Sequence, residues 1–150
     1  MPSTFTNLLY HIIFSTKNRI PLITKNLKEE LYKYIGGIIR AEGGVQIEIG
    51  GIEDHIHILA KFKPTHSVSE MLNKIKSNSS KWANDHKMKY RRFGWQDGYA
   101  AFTVSESQAP IVAEYIRNQE EHHRKQTFQE ELVALLERHG IKYDPKYLWD

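Results

Sequence analysis

The 150 residues fit one ordinary domain, and a hydrophobic content of 40% supplies a core, which excludes disorder of the whole chain. The absence of cysteine excludes a disulfide scaffold and a thiolate zinc site. The net charge of +3 is small but unevenly spread, with nine Lys or Arg against two acids from Lys61 to Arg92 and five bases against seven acids from Glu120 to Asp150.

Residues 7–15, NLLYHIIFS, form an apolar run rich in β-branched and aromatic side chains, which predicts a buried strand. Lys17 to Pro21 is a polar turn. Leu27, Leu31, Tyr34, Ile35 and Ile38 recur at helical spacing, predicting a helix from about Lys25 to Glu42 that Gly43-Gly44 closes. Val45, Ile47 and Ile49 alternate with Gln46 and Glu48 as a half-buried strand, and Gly50-Gly51 reads as a break. A third strand spans about Asp54 to Lys63. Ile56, Ile58, Ala60 and Phe62 share one of its faces, and His55, His57, Leu59 and Lys61 share the other.

Pro64 stops that strand, and Ser67 with Glu70 suggests a capping box. Val68, Leu72, Ile75 and Trp82 mark the core side of a second helix. Residues 84–98 read as a polar, basic and aromatic loop, and Tyr99 to Ser105 as a fourth strand. A third helix is predicted from Ser107 or Gln108 to about Arg124. A last helix, about Phe128 to His139, carries Phe128, Leu132, Leu135 and Leu136 on one side, with Gly140 placed to end it. The tail Ile141–Asp150 holds Tyr143, Tyr147 and Trp149. This order is that of the ferredoxin-like (RRM-like) α+β fold, a four-stranded antiparallel sheet with helices on one face, followed by C-terminal helices. One domain over 1–150 is expected, with 126–150 as an appendage. No stretch approaches about 20 apolar residues, and the N-terminus lacks a basic segment before an apolar run, so no membrane association and a cytoplasmic location are expected.

Two side-chain pairs could carry chemistry. His55 and His57 lie two apart on a strand and leave the same face, an arrangement that can present two nitrogen ligands to one divalent ion. It equally suits two exposed histidines. Tyr115 and Gln119 lie four apart on one helix face. A phenol is a poor nucleophile at its ordinary pKa of about 10 unless a cation stabilises the phenolate. The glutamine oxygen can complete a metal shell. Lys74, Lys76 and Lys81 on the polar side of the second helix suit phosphate binding or a solvated face. Arg91 and Arg92 with Phe93 and Trp95 suit single-strand binding or, for Trp95, a plug for the core. His11, within the first strand, fits a satisfied core histidine.

In combination, the segments YHIIFSTKNRIPLI, GIEDHIHIL, FGWQDGYAAFTVS, EYIRNQEEHH and FQEEL followed by HGIKYDPKYLWD resemble the single-tyrosine HUH (His, hydrophobic, His) transposases of IS200/IS605-type insertion sequences. These elements move as single-stranded DNA. The resemblance covers nearly the whole chain. It implies that His55, His57 and Gln119 hold magnesium or manganese. It also implies that Tyr115 attacks a phosphate in single-stranded DNA, leaving a 5′-phosphotyrosine and a free 3′-hydroxyl that can later be rejoined. It further implies a homodimer with composite active sites and recognition of DNA hairpins at the element's ends. Arg117, beside the nucleophile, is then a DNA-binding candidate with Lys74, Lys76, Lys81, Arg91 and Arg92. An RNA-recognition module shares the sheet order but stacks bases on aromatic rings, which the third strand lacks. A nuclease would cut without rejoining.

Overall fold

The structure, a computed structural model, describes residues 3–149. Asp150, the last residue of the expected tail, and the first two residues of the expected domain lie outside that range. Four antiparallel strands, β1 (Leu9–Ser15), β2 (Val45–Ile52), β3 (His55–Lys61) and β4 (Ala100–Thr103), form one sheet in the order β2-β3-β1-β4. This is the predicted ferredoxin-like arrangement.

Two helices, α1 (Lys25–Ala41) and α2 (Val68–His86), cover one face. Thr24 caps α1 by accepting from Leu27 N–H, and Ser67 caps α2 by accepting from Glu70 N–H. Their apolar stripes meet the inward residues of the strands, so that Leu31, Ile35 and Ile75 pack with Ile12, Phe14, Ile56 and Ile58. The opposite face is covered too, by α3 (Ala109–Arg117), α4 (Gln119–His122) and α5 (Phe128–Arg138). Ala113 and Ile116 of α3 rest on Leu9 and Leu59, whereas Phe128, Leu132, Leu135 and Leu136 of α5 rest on Ile13 and Phe102. A reciprocal capping box of Thr127 and Glu130 starts α5, and Gly140 follows its end with φ of 67°.

Several boundaries differ from expectation. Gly50-Gly51 is not a break: β2 continues through both to Ile52. A Cβ on Gly50 would lie 2.3 Å from the Ile116 carbonyl oxygen, so the glycine is what lets α3 cross close over the sheet. The expected single helix to Arg124 is interrupted at Asn118 (φ −97°, ψ 24°), which divides α3 from α4. Val45 and Ile47 are outward and exposed, at the end of an edge strand with a bulge between Gln46 and Glu48. α2 extends to His86, and β4 is limited to Ala100–Thr103.

Candidate functional site

The alternation of β3 sends Ile56 and Ile58 into the α1–α2 core and His55 and His57 to the other face. Neither histidine is exposed, because the C-terminal helices close over both rings. Each ring is oriented through Nδ1. His55 Nδ1 is 2.7 Å from Asp54 Oδ1, and His57 Nδ1 is 2.8 Å from Nε2 of the buried His11. Both Nε2 atoms therefore face the same interior point, the arrangement by which outer partners aim metal-ligating histidines.

Gln119 reaches that point from the start of α4 and is buried. Its Oε1 is 3.2 Å from His55 Nε2 and 2.9 Å from His123 Nε2. Tyr115 lies one turn earlier, its ring centroid 5.8 Å from that of His57. Its hydroxyl donates to Glu131 Oε2. The phenol borders a groove of about 470 Å³ whose walls include Phe102, Ser105, His122 and Arg138. Beyond Gly50, two polar ties hold this helical segment down. Arg117 pairs with Glu48 at 2.8 Å, and Lys28 Nζ donates to the Gly51 carbonyl and pairs with Glu120, each at 3.1 Å.

Glu131, from α5, stands at the centre. Its Oε1 is 3.0 Å from His57 Nε2, 3.4 Å from His55 Nε2 and 3.2 Å from His123 Nε2, and its Oε2 accepts from Gln119 Nε2 at 3.0 Å. Burial opposes its charge, but the hydrogen bonds from His123, His55 and His57 outweigh that and hold its carboxyl well below the usual range. Burial likewise opposes protonation of His55, yet Asp54 and Glu131 raise that ring to about 9. For His57 burial prevails and lowers the ring to about 4, and burial with the neighbouring His57 lowers His11 to about 3. Burial and then the Glu131 carboxylate push the Tyr115 phenol above its ordinary value.

Ring nitrogens of His55, His57 and His123 and an oxygen of Glu131 lie within 4.8 Å of one another. Imidazoles mixed with oxygen donors suit manganese and similar first-row ions better than magnesium, which prefers oxygen throughout. The residues present thus fit a divalent cation. Glu131 is not among the residues expected from the sequence, and no ligand or orienting role is expected there for His123, Asp54 or His11. His123 follows Gln119 at the spacing that joins Tyr115 to Gln119, and Asp54 adjoins His55, so both had a local signal. Glu131 is an acid within the apolar stripe Phe128, Leu132, Leu135, a position that a solvated charge would avoid.

The basic candidates separate in space. Lys76 turns inward: its Nζ donates to the carbonyls of Gln96, Asp97 and Gly98 at 3.0, 3.2 and 2.6 Å and lies 5.0 Å from the Phe14 ring centroid. Burial lowers that amine to about 8. Lys74 pairs with Glu42, Lys81 with Asp85 and Arg117 with Glu48. Arg91 and Arg92 are exposed on the loop after α2, beside a fully exposed Tyr90. Phe93 and Trp95 plug the core, with Trp95 Nε1 donating to Ser79 Oγ at 2.9 Å.

The sequence model of the family described as "Transposase IS200 like" matches residues 4–119. The transposase for insertion sequence element IS200 of Salmonella typhimurium is 33% identical over 122 residues, covering 75% of this chain and 77% of its own. The ISDra2 transposase TnpA of Deinococcus radiodurans is 24% identical over 117 residues, covering 75% of this chain and 84% of its own. Among solved structures, a REP-associated tyrosine transposase bound to a REP hairpin shares the fold. Its TM-score is 0.62 at 12% identity, over 82% of this chain and 72% of that one.

Proposed function

Because the chain belongs to the IS200-like transposase family, we propose that it cleaves and rejoins single-stranded DNA at insertion-sequence ends, with Tyr115 as nucleophile. One observation carries this reading: within a single chain, Tyr115 and Gln119 converge with His55 and His57 around Glu131. The phenolic oxygen forms the new bond to phosphorus as its own O–H bond breaks. The bond from phosphorus to the 3′ oxygen breaks in turn, leaving a 5′-phosphotyrosine and, after proton uptake, a 3′-hydroxyl. Since the phosphodiester bond is exchanged and not hydrolysed, a second 3′-hydroxyl can attack the phosphotyrosine and reseal the strand.

His55, His57 and Gln119 would hold a divalent ion, manganese or magnesium, which when bound supplies charge stabilisation at the phosphate and the phenolate. The protein's own groups do the positioning. Asp54 and His11 aim the two Nε2 atoms, and Glu131 Oε2 fixes the phenol by accepting its hydrogen bond. Burial and that carboxylate keep the phenol protonated without the ion, which makes a spontaneous phenolate scarce. The exposed Arg91 and Arg92 are suited to DNA phosphates. A structural relative is bound to a REP hairpin, which supports carrying hairpin recognition over to this chain. The work belongs in the cytoplasm, and among the described residues no helix is long and apolar enough to cross a membrane.

A labelled single-stranded hairpin carrying the element's end tests the reading. With manganese, the protein should give a covalent band that survives denaturation, and Tyr115→Phe should lower its yield by at least about 10³-fold. A band retained in Tyr115→Phe refutes the nucleophile. The homodimer with composite sites is tested in the same assay by mixing His57→Ala and Tyr115→Phe subunits. Recovered cleavage supports it. No recovery in confirmed mixed dimers assigns each tyrosine to its own chain's histidines.

A further inference from the structure

The segment matched by the family ends at Gln119, and the chain continues with His123 and α5. That continuation delivers two polar groups to the candidate metal site, the buried Glu131 and the part-buried His123. Glu131 has 2% of its surface exposed and splits its two oxygens between different tasks. Oε1 faces the Nε2 atoms of His55, His57 and His123, whereas Oε2 holds the Tyr115 hydroxyl and the Gln119 amide. A carboxylate is buried at such cost only where cationic or hydrogen-bonding partners surround it. Three ring nitrogens directed at one carboxylate oxygen also form the mixed donor cluster that a divalent ion takes. His123 is fixed there at both ends: Nδ1 lies 2.8 Å from the Gln126 carbonyl oxygen, and Nε2 points inward.

We propose that His123 and Glu131 are ligands of the same divalent cation as His55 and His57, so that metal occupancy and docking of α5 are one event. This rests on the metal site proposed above. Its consequence is a clamp. Phe128, Leu132, Leu135 and Leu136 supply an apolar seat on Ile13 and Phe102, and the cation fastens that seat from the side. A ligand that binds only the docked arrangement raises the ratio of docked to undocked chains about 100-fold at 100 times its dissociation constant. Because Glu131 Oε2 also accepts from the Tyr115 hydroxyl, the clamp ties the position of the phenol to that of α5.

Titration calorimetry of the metal-free full chain with Mn²⁺ tests this, paired with hydrogen exchange across 128–138. Four proteins are compared: wild type, His57→Ala, Glu131→Gln and His123→Ala. Expected is Mn²⁺ binding by wild type that His57→Ala abolishes and that Glu131→Gln and His123→Ala each weaken at least about tenfold. Mn²⁺ should slow exchange across 128–138 in wild type and fail to do so in Glu131→Gln. Should Glu131→Gln loosen α5 without metal, His123→Ala still reads the ligand set with Glu131 in place. Unchanged or tighter Mn²⁺ binding in both variants, with His57→Ala still defective, overturns the clamp and leaves the two-histidine site standing. No Mn²⁺ binding by wild type removes both.

Discussion

Both faces of the sheet are closed by helices, yet they are built to different rules. On the α1–α2 side the strands offer Ile12, Phe14, Ile56 and Ile58 to an almost wholly apolar layer. On the α3–α5 side the same strands offer His11, His55 and His57, and the covering helices answer with Gln119, His123 and Glu131. Two small apolar clusters flank this polar centre, one under α3 and one under α5. Adjacent residues of one strand, Ile56 and His57, thus serve opposite ends. One contributes non-directional apolar burial. The other sits where every polar atom needs a partner at a set distance, so small displacements are costly. The first face should carry most of the stability and the second most of the chemistry.

Ile58→Ala, on the apolar face, should cost about 2–5 kcal/mol in urea unfolding, through lost transfer energy and a residual cavity. Mn²⁺ binding, measured where the variant is folded, should change little. A large loss of metal affinity there would show that the faces are not separable. Gly50→Ala attacks the boundary between them. Its Cβ would lie 2.3 Å from the Ile116 carbonyl oxygen, so α3 must shift outward. We expect about 1–3 kcal/mol of destabilisation from this crowding. Cleavage should fall further than stability explains, because Tyr115 and Gln119 move with the helix. Wild-type cleavage in a folded Gly50→Ala protein would contradict the close crossing as a requirement.

Acid should act through the polar face. The metal-free values of His57 and His11, about 4 and about 3, lie below the unfolded value of 6.5. Between about 4 and 6.5 the unfolded chain therefore binds more protons, and stability should fall as pH drops through that window. His55, raised to about 9, is protonated in both states by the lower end of that window and does not offset the loss there. Thermal midpoints in chelator from pH 7 to 4 test this, and a midpoint that stays level would contradict it. The smallest effect is expected at the surface. Arg91→Ala and Arg92→Ala should each reduce the salt slope of single-stranded DNA binding by about 1. Lys76→Ala should instead lower stability and leave that slope nearly unchanged, because its amine is committed to three carbonyls. Equal slope changes at Arg91 and Lys76 would erase the distinction.

Much of this was legible in order along the chain. Alternation on β3 put His55 and His57 on one side, and the four-residue interval put Gln119 near Tyr115, because strand and helix periods are local properties of the backbone. The same intervals could not say that Asn118 interrupts the helix, or that Gly50-Gly51 continues a strand under a crossing helix. Nor could they separate Lys76 from Lys74 and Lys81, since burial of a lysine depends on which loop lies over it. The segment expected as an appendage packs over the sheet and brings Glu131 to the histidines from a helix whose local pattern stops at its own apolar stripe.

The amino-acid order by itself determined the order of strands and helices, the side of β3 that carries the histidines, and the residue types able to hold a cation or present a phenol. Only the tertiary structure decided which faces meet. It closed the histidine side of the sheet under three helices and placed a carboxylate from the C-terminal helix between the imidazoles and the tyrosine. Periodicity acts within a few residues. The meeting of β3 with α5 rests on contacts such as that of His57 with Glu131, 74 residues apart in the chain, which no local pattern encodes.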